Sequence, residues 1–516
     1  MRTVFRYLAA LLAVYLIATG SFRLFYGVPE ADNRVDSRAI APRDDSALGA
    51  LILPLAAAHP GLSGVTNLQD GISAFAGRLQ LADMAEDSLD LRYYIWQKDI
   101  TGMLLLDAAK RAADRGVRVR LLLDDNGVPD IEPELAELNA HPNIEVRLFN
   151  PFVLRSPRMA TYLLDFGRIN RRMHNKSFTV DGLVTLVGGR NIGDIYFSRD
   201  QQVNYFDLDV VALGQAAQDV SEDFDLYWAS PSAVSADLLL APAADGTLDA
   251  TLEELRADPG NRAFEQTARE LPIAEELTDN ARAFDWVEMT LVSDDPAKGQ
   301  GPVPDSDLMS FRLREILPPV HRQVLLISAY FVPGPWLTGV LSDWAASGID
   351  VRTLTNAQEA TDVLPVHSGY RRYRDQLVHA GVNVYELKAQ QNRRDLAEQF
   401  GLIGSTNSSL HAKTFVLDRE TLFVGSFNFD PRSARLNTEM GFLIKSPRLS
   451  ELVGHGFDNH LAGRAYLVEQ DTGGNLIWRD TLADGPDRIH DTEPGTTALS
   501  RALVRVIGWM PVEWLL

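Results

Sequence analysis

No cysteine occurs in the chain, so disulfides, a thiolate nucleophile and cysteine-ligated zinc are all excluded. The redox compartment is left open. Cations are also in short supply, 49 Lys and Arg against 70 Asp and Glu, and the net charge of -21 works against non-specific binding to a nucleic-acid polyanion. A local basic pocket is still allowed. Long apolar runs are scarce too: one stands out, from Tyr7 to Phe22, apolar apart from Thr19, Gly20 and Ser21. It is short for a membrane helix, but a snorkelling Arg23 would extend it to Tyr26, near the ~20 residues that a bilayer needs. Arg2 and Arg6 precede it, which favours the amino end inside and the body outside the cytoplasm. The expectation is a retained anchor; a secretory signal cleaved near Ala18-Thr19-Gly20 is the alternative.

Histidine is sparse, with 10 in 516 residues, yet two of them sit in a matched setting. The first is Met173-His174-Asn175-Lys176-Ser177-Phe178-Thr179-Val180-Asp181, followed after six residues by Gly188-Gly189-Arg190-Asn191. The second is Leu410-His411-Ala412-Lys413-Thr414-Phe415-Val416-Leu417-Asp418, followed after the same six by Gly425-Ser426-Phe427-Asn428. Both stretches carry the β-branched and aromatic filling of a strand, where residues i and i+2 share a face, so each His is expected beside its Lys. Asp181-Gly182 is a hairpin signal, and the run from Leu183 to Val187 reads as the return strand that brings Asn191 back beside that face. Asp181 and Asp418 are then turn-formers rather than reacting groups. Gly188-Gly189 and Gly425-Ser426 keep the backbone small where a ligand is expected to approach. Two such motifs facing each other supply a nucleophile, an acid for the leaving oxygen and cations for phosphoryl oxygens, a set suited to a phosphate diester.

With 46% apolar and 23% charged residues the chain has ample material for buried cores, and its length allows two to four domains. A helical pattern from Leu68 to Ala85 leads to a strand at Leu89 to Trp96; helix Thr101 to Arg115, strand Val117 to Leu123, helix Ile131 to Asn139 and strand Ile144 to Phe149 follow. The later half repeats the plan, with strand Gln323 to Phe331, helix Trp336 to Ser347, strand Ile349 to Thr355, helix Ser368 to Ala380 and strand Val382 to Leu387. Leu91 maps near Leu325 and His174 onto His411, offsets of 234 and 237, so the chain reads as a duplicated domain. The fold class expected is α/β, two pseudo-repeated domains that each hold a mixed, largely parallel sheet flanked by helices. The division is 1–30 anchor or signal, 31–67 linker and lead-in, 68–241 first domain, 242–301 connector, 302–490 second domain and 491–516 amphipathic tail. Val292-Ser293-Asp294-Asp295-Pro296-Ala297-Lys298 is the connector's most distinctive piece. Helix Gln215 to Trp228 is assigned to packing. In the tail, Leu499, Ala502, Leu503 and Val506 form one side beside Arg501 and Arg505, with Trp509 and Trp514 following. That pattern fits either a membrane interface or packing on the protein's own core.

The double pattern resembles the phospholipase D superfamily, and within it the bacterial cardiolipin synthase group, especially the C-type branch. The likeness runs from about Gly71 onward through Arg171-Arg172-Met173-His174-Asn175-Lys176, the Tyr370…Tyr373…Leu377…Ala380-Gly381-Val382 stretch, Asn428-Phe429-Asp430-Pro431-Arg432-Ser433, Asn437-Thr438-Glu439 and the Pro-Val-Glu-x-Leu-Leu tail. Trp514 is a slight departure in that tail. The resemblance implies a two-step phosphatidyl transfer through a phosphohistidine, with His174 as nucleophile and His411 as acid and then base. Lys176, Lys413, Asn191 and Asn428 would hold the phosphoryl oxygens; Asp207 and Glu439 would each hydrogen-bond the far nitrogen of an imidazole, Asp209 being a near competitor for the first role. No cofactor or metal is implied, since two lysines supply the cationic charge. The partners implied are phosphatidylglycerol, phosphatidylethanolamine as a further donor, and a membrane surface, with no nucleic acid and with room for an accessory protein. The location implied is the bacterial inner membrane, body on the periplasmic side. Rival readings are a phospholipid hydrolase, a nuclease or other phosphodiesterase, and a non-catalytic lipid-binding scaffold. Outside the motifs His367 is the histidine to watch, because it opens the helix ahead of the second motif.

Overall fold

The computed structural model describes the chain apart from residues 1, 30–36, 69, 200–203, 280–283, 390–407, 483–485 and 512. The start of the expected linker and Val512 of the tail therefore lie outside the described residues. Two mixed sheets carry the fold. In the first, Ser88–Ile95, Arg118–Gly127 and Ile144–Phe149 run parallel side by side, and the hairpin Ser177–Val180 and Val184–Gly188 joins antiparallel to Ser88–Ile95. Asp209–Gly214 continues the sheet beyond the hairpin. In the second, Gln323–Ser328, Asp350–Asn356 and Asn383–Leu387 repeat the parallel trio, Lys413–Leu417 and Thr421–Gly425 the hairpin, and Met440–Ile444 the strand beyond it. Parallel pairing is confined to that trio in each sheet, so there is less of it than the alternation of strands and helices suggested.

Ladder register sharpens the duplication. Leu89 pairs with Val180 and Val324 with Leu417, so Leu89 corresponds to Val324, an offset of 235 where the motifs differ by 237. The segment 242–301, expected as a connector, is woven into both halves. Asp285–Val287 edges the first sheet through Ser63–Leu68, Met289–Ser293 edges the second beside Met440–Ile444, and helices Thr247–Arg256 and Pro259–Glu270 cover the first domain. The lead-in likewise contributes helix Ala47–Ala58 and strand Ser63–Leu68 to the first domain. Apolar segments within a polar linker are held by burial, and composition averaged over the stretch hides them.

The sheets share a core. Val65, Val187 and Val210 of the first pack with Leu325, Ile327, Val416 and Phe442 of the second, and Ala216 and Val220 from helix Gln215–Trp228 join them. Burying surface between the halves fixes their relation as firmly as it fixes each sheet.

Asp181 and Asp418 turn their hairpins in the left-handed region, with φ of 51° and 53°. Each also accepts backbone N–H bonds from three successive residues, Glu86, Asp87 and Ser88 for Asp181, and His321, Arg322 and Gln323 for Asp418. The motif aspartates thus pin the hairpin to the start of the neighbouring parallel strand. Asp181 is buried whereas the second turn is more open, so stranding the donors should cost more in the first. Asp181→Ala is expected to lower unfolding free energy by about 2–4 kcal/mol and Asp418→Ala by roughly half that, as read by denaturant unfolding.

At the amino end, helix Arg2–Phe25 is long and apolar enough over Phe5–Phe25 to cross a membrane. It touches the body through Tyr15 Oη on the Leu163 carbonyl and Arg23 on Asp165. At the other end, helix Ala498–Trp509 buries Val504 against helix Leu364–His379 and exposes Leu499, Leu503, Val506 and Trp509. One face packs on the protein and the other is apolar and open.

Candidate active site

Each motif histidine lies in the extended chain just ahead of its strand, not within it. The chain there pairs across the domain boundary. His174 N–H donates to the Thr438 carbonyl at 2.9 Å, while Thr438 N–H donates to Arg172 at 2.9 Å. On the other side Ser408–Leu410 forms a short parallel ladder with Asn204–Phe206, and His411 N–H donates to the Phe206 carbonyl at 2.8 Å. The residues that follow these partners, Glu439 and Asp207, are thereby delivered to the imidazoles. Glu439 Oε2 meets His174 Nδ1 at 2.8 Å, and Asp207 Oδ2 meets His411 Nδ1 at 2.6 Å. Each motif imidazole takes its carboxylate from the opposite half.

The two acids occupy equivalent places. Gly188 pairs with Asp209 and Gly425 with Gly441, and each acid stands two residues ahead of that glycine's partner. Asp209, the near competitor, is elsewhere: its carboxylate is held by buried Arg78 at 2.7 Å and Arg190 at 3.3 Å. The glycines serve a different purpose from the one expected. A Cβ on Gly188 would lie 2.1 Å from Asp209 Oδ1, one on Gly189 2.2 Å from Asp207 Oδ1, and one on Gly425 2.3 Å from the Met440 carbonyl. What approaches so closely is the adjoining strand with its acid, and only a missing side chain admits it.

Lys176 Nζ donates to the His174 carbonyl at 2.6 Å and Lys413 donates to that of His411. Lys413 also lies 3.0 Å from His411 Nδ1. Because a carboxylate only accepts, the proton stays on His411 Nδ1 and is donated to Asp207, and Nε2 is left with its lone pair. The same holds for His174 and Glu439. Both imidazoles are pushed down from 6.5 to about 4, by burial first, with the lysines of both motifs adding and the carboxylates offsetting only part. Each lysine therefore acts on the other motif's imidazole, which places the two motifs in one electrostatic site. Burial works against ionised Asp207 too, but His411, Lys413 and Arg190 outweigh it and hold that acid at about 2. Neutral rings with fixed Nδ1 protons leave two Nε2 lone pairs, each able to act as a base or a nucleophile, in one electrostatic site.

Linkage gives these shifts a visible consequence. The unfolded chain takes up imidazole protons near 6.5 while the folded chain resists until about 4. Stability should therefore fall as pH drops through that window, and fall further below it as the depressed carboxylate of Asp207 is titrated. Thermal midpoints measured across pH 6.5 to 4 should decline more gently for a His174→Asn, His411→Asn double variant; parallel curves would show that these rings are not the source.

The asparagines behave differently from each other. Asn191 accepts from Ile95 N–H at 3.2 Å and donates to Tyr196 Oη at 3.1 Å, so its amide ties the strand end down. Asn428 Oδ1 is buried without a hydrogen-bond partner among the described residues, as is Glu439 Oε1. His367 is far from this chemistry in kind: it is buried 3.6 Å from Glu493, which Arg371 and Arg374 also hold. Among the described residues no group of three His, Asp or Glu side chains is gathered as a metal site.

Several supporting residues escape a reading of the motifs alone. Asp124 accepts from Met173 N–H at 2.7 Å and Asn356 from Leu410 N–H at 2.9 Å, so the ends of equivalent parallel strands grip the residue before each histidine. Ser426 Oγ donates to Glu439 Oε2. Asp294, in the stretch 292–298, accepts from Glu439 N–H at 3.0 Å and pairs with Lys298 at 2.8 Å. The signal available for the first pair was position, since ligand sites in α/β sheets gather at the carboxyl ends of parallel strands.

A duplicated sheet whose paired His-Lys motifs converge with exchanged acids defines a phospholipase D-type phosphodiester site. The chain belongs to the family described as cardiolipin synthase, PLD-like domain, which matches residues 79–228 and 314–461. It is 43% identical over 472 residues to cardiolipin synthase C of Escherichia coli (strain K12), covering 91% of this chain and 99% of that one. To the major cardiolipin synthase of Bacillus subtilis (strain 168) it is 26% identical over 414 residues, 79% of this chain and 71% of the other. The fold is also similar to the crystal structure of phosphatidylserine synthase from Haemophilus influenzae Rd KW20, with TM-score 0.52 and 15% identity over 78% of this chain and 87% of that one.

Proposed function

We propose that the protein is a phosphatidyltransferase that makes cardiolipin from phosphatidylglycerol and a second phospholipid. The observation that carries the reading is the exchange of acids, which orients the Nε2 atoms of two neutral imidazoles that share one electrostatic site. His174 Nε2 attacks phosphorus; the P–O bond to the head-group alcohol breaks, and the alcohol oxygen takes a proton from His411 Nε2. Glu439 supports the charge that the attacking ring of His174 acquires as its N–P bond forms. His411, charged before the first step by a proton from solvent, leaves that step neutral and then accepts the proton of the incoming hydroxyl. The new O–P bond forms as the N–P bond to His174 breaks. Lys176 and Lys413 offset charge on the phosphoryl oxygens, where it develops most, and the NH₂ of Asn428 donates to them.

Relatedness to cardiolipin synthases along nearly the whole chain supports transfer over the nuclease and scaffold readings. The apolar helix at the amino end and the open face of helix Ala498–Trp509 suit a lipid substrate. Arg2 and Arg6, in the first turns of helix Arg2–Phe25, favour a body on the periplasmic side of the inner membrane. The full chain reconstituted in phosphatidylglycerol vesicles, with and without phosphatidylethanolamine, tests the reading by lipid mass spectrometry. Cardiolipin is the expected product; phosphatidic acid alone would make the protein a hydrolase, and unchanged lipid would end the proposal.

A further inference from the structure

The two imidazoles have unlike surroundings. Tyr94 lies edge-on to His174 with ring centroids 5.1 Å apart, and its hydroxyl meets the amide of Asn126 at 3.3 Å. Tyr162 Oη donates to the same side chain at 2.9 Å. Tyr205 lies 5.0 Å from His411, and its hydroxyl donates to Asp362 Oδ2 at 3.2 Å, where Tyr330 Oη also donates at 2.8 Å. In each half-site, then, a tyrosine against the histidine and a second tyrosine converge on one polar side chain. Beside His174 that side chain is a neutral amide; beside His411 it is an exposed carboxylate.

Duplication alone does not account for the pair. By ladder register Tyr94 corresponds to Ala329, so the second arrangement is built from other positions, with Tyr205 contributed by the first half and Tyr330 and Asp362 by the second. Nor does phosphate binding account for the acid. A carboxylate accepts hydrogen bonds only and repels phosphoryl oxygens, while the one effect of Asp362 on Lys413 is to help keep that buried amine protonated. Its placement is intelligible if the group arriving there is a hydrogen-bond donor.

We propose that Asp362, held by Tyr205 and Tyr330, is a specificity residue that receives the donor-bearing part of the head-group alcohol beside His411, while the neutral Asn126 side takes the phosphatidyl group bound to His174. The shared chemistry is a hydroxyl or ammonium donor at the end of a short alcohol: glycerol carries the first, ethanolamine the second. This rests on the phosphatidyltransferase reading and adds which half of the pocket holds the alcohol.

Asp362→Asn, Asp362→Glu and Tyr330→Phe, each in the full chain, would be assayed in phosphatidylglycerol vesicles and in vesicles containing phosphatidylethanolamine. The readouts are the ratio of cardiolipin to phosphatidic acid and the release of glycerol or ethanolamine. A hydrogen bond to a charged group is worth enough that Asp362→Asn should lower the transfer-to-hydrolysis ratio roughly ten- to a hundredfold, with Tyr330→Phe smaller and Asp362→Glu partly restored. Water needs no such contact in the second step, so phosphatidic acid should become the larger share of whatever product forms, which a mere folding defect would not produce. A larger loss of glycerol release assigns the hydroxyl, and a larger loss of ethanolamine release assigns the ammonium; either supports the site. An unchanged ratio in Asp362→Asn while the parent chain makes cardiolipin would overturn this inference and leave the phosphatidyltransferase reading intact. A parent chain that transfers nothing would overturn both.

Discussion

His411→Asn should halt turnover and, given a donor whose leaving group needs no proton, strand a phosphatidyl group on His174, whereas His174→Asn should form no covalent adduct. The difference follows from what each ring must do. Removing the nucleophile removes the first bond to phosphorus, and the loss should be on the order of 10³-fold or more in turnover, the scale seen when a group acting as part of a unit is deleted. Removing the acid hurts in proportion to how poor the leaving alcohol is. A donor with a nitrophenol leaving group needs no proton, so with it the His411→Asn protein should still form the N–P bond at His174 with release of nitrophenolate and then stall. Intact-protein mass spectrometry under neutral quench would reveal the adduct, which acid should release. An adduct on the His174→Asn protein and none on the other would reverse the two roles. Turnover within about tenfold of the parent in both would dismiss them.

The second large effect concerns the exchanged acids. Glu439→Gln should damage the chemistry of His174, 265 residues away in the chain, and Asp207→Asn that of His411, 204 residues away. An amide in place of the carboxylate can turn its NH₂ to Nδ1, select the wrong tautomer and put the proton on Nε2, at a loss of roughly 10²- to 10⁴-fold. The two variants should fail at different steps. With the nitrophenol donor, Glu439→Gln should be slow to form the adduct, while Asp207→Asn should form it and fail to discharge it. Gly189→Ala should mimic Asp207→Asn, because its Cβ would intrude to 2.2 Å from that carboxylate. Failure of both variants at the same step would mean that the acids do not serve separate rings.

Regular alternation and fixed spacing made much of this architecture legible in the sequence. The trio of parallel strands, the Asp181 hairpin and helix Gln215–Trp228 all follow from local pattern, which burial on one sheet face or helix stripe reinforces. His174 with Lys176 and His411 with Lys413 were legible for the same reason, since near neighbours in sequence are neighbours in space. Other features were not. Asn191 carries the same motif position as Asn428, but Tyr196 and Ile95 occupy its amide, and nothing in the spacing reveals such partners. The edge strands in 242–301 are only a few residues long and derive their order from sheets built elsewhere in the chain. Gly188 looked like room for a ligand because a glycine declares only that something comes near, not what comes.

The crossed pairing of imidazole and carboxylate also constrains how this molecule can change. A repeat excised from the chain would carry a ring without its counterpart and an acid without a ring, so neither copy retains the chemistry that a common ancestor could have exercised as two separate, identical subunits. Decay at either locus disables the opposite lobe, and a spare copy offers no redundancy. The duplication has become a mutual dependence, in which the lobes must drift in concert or be lost together.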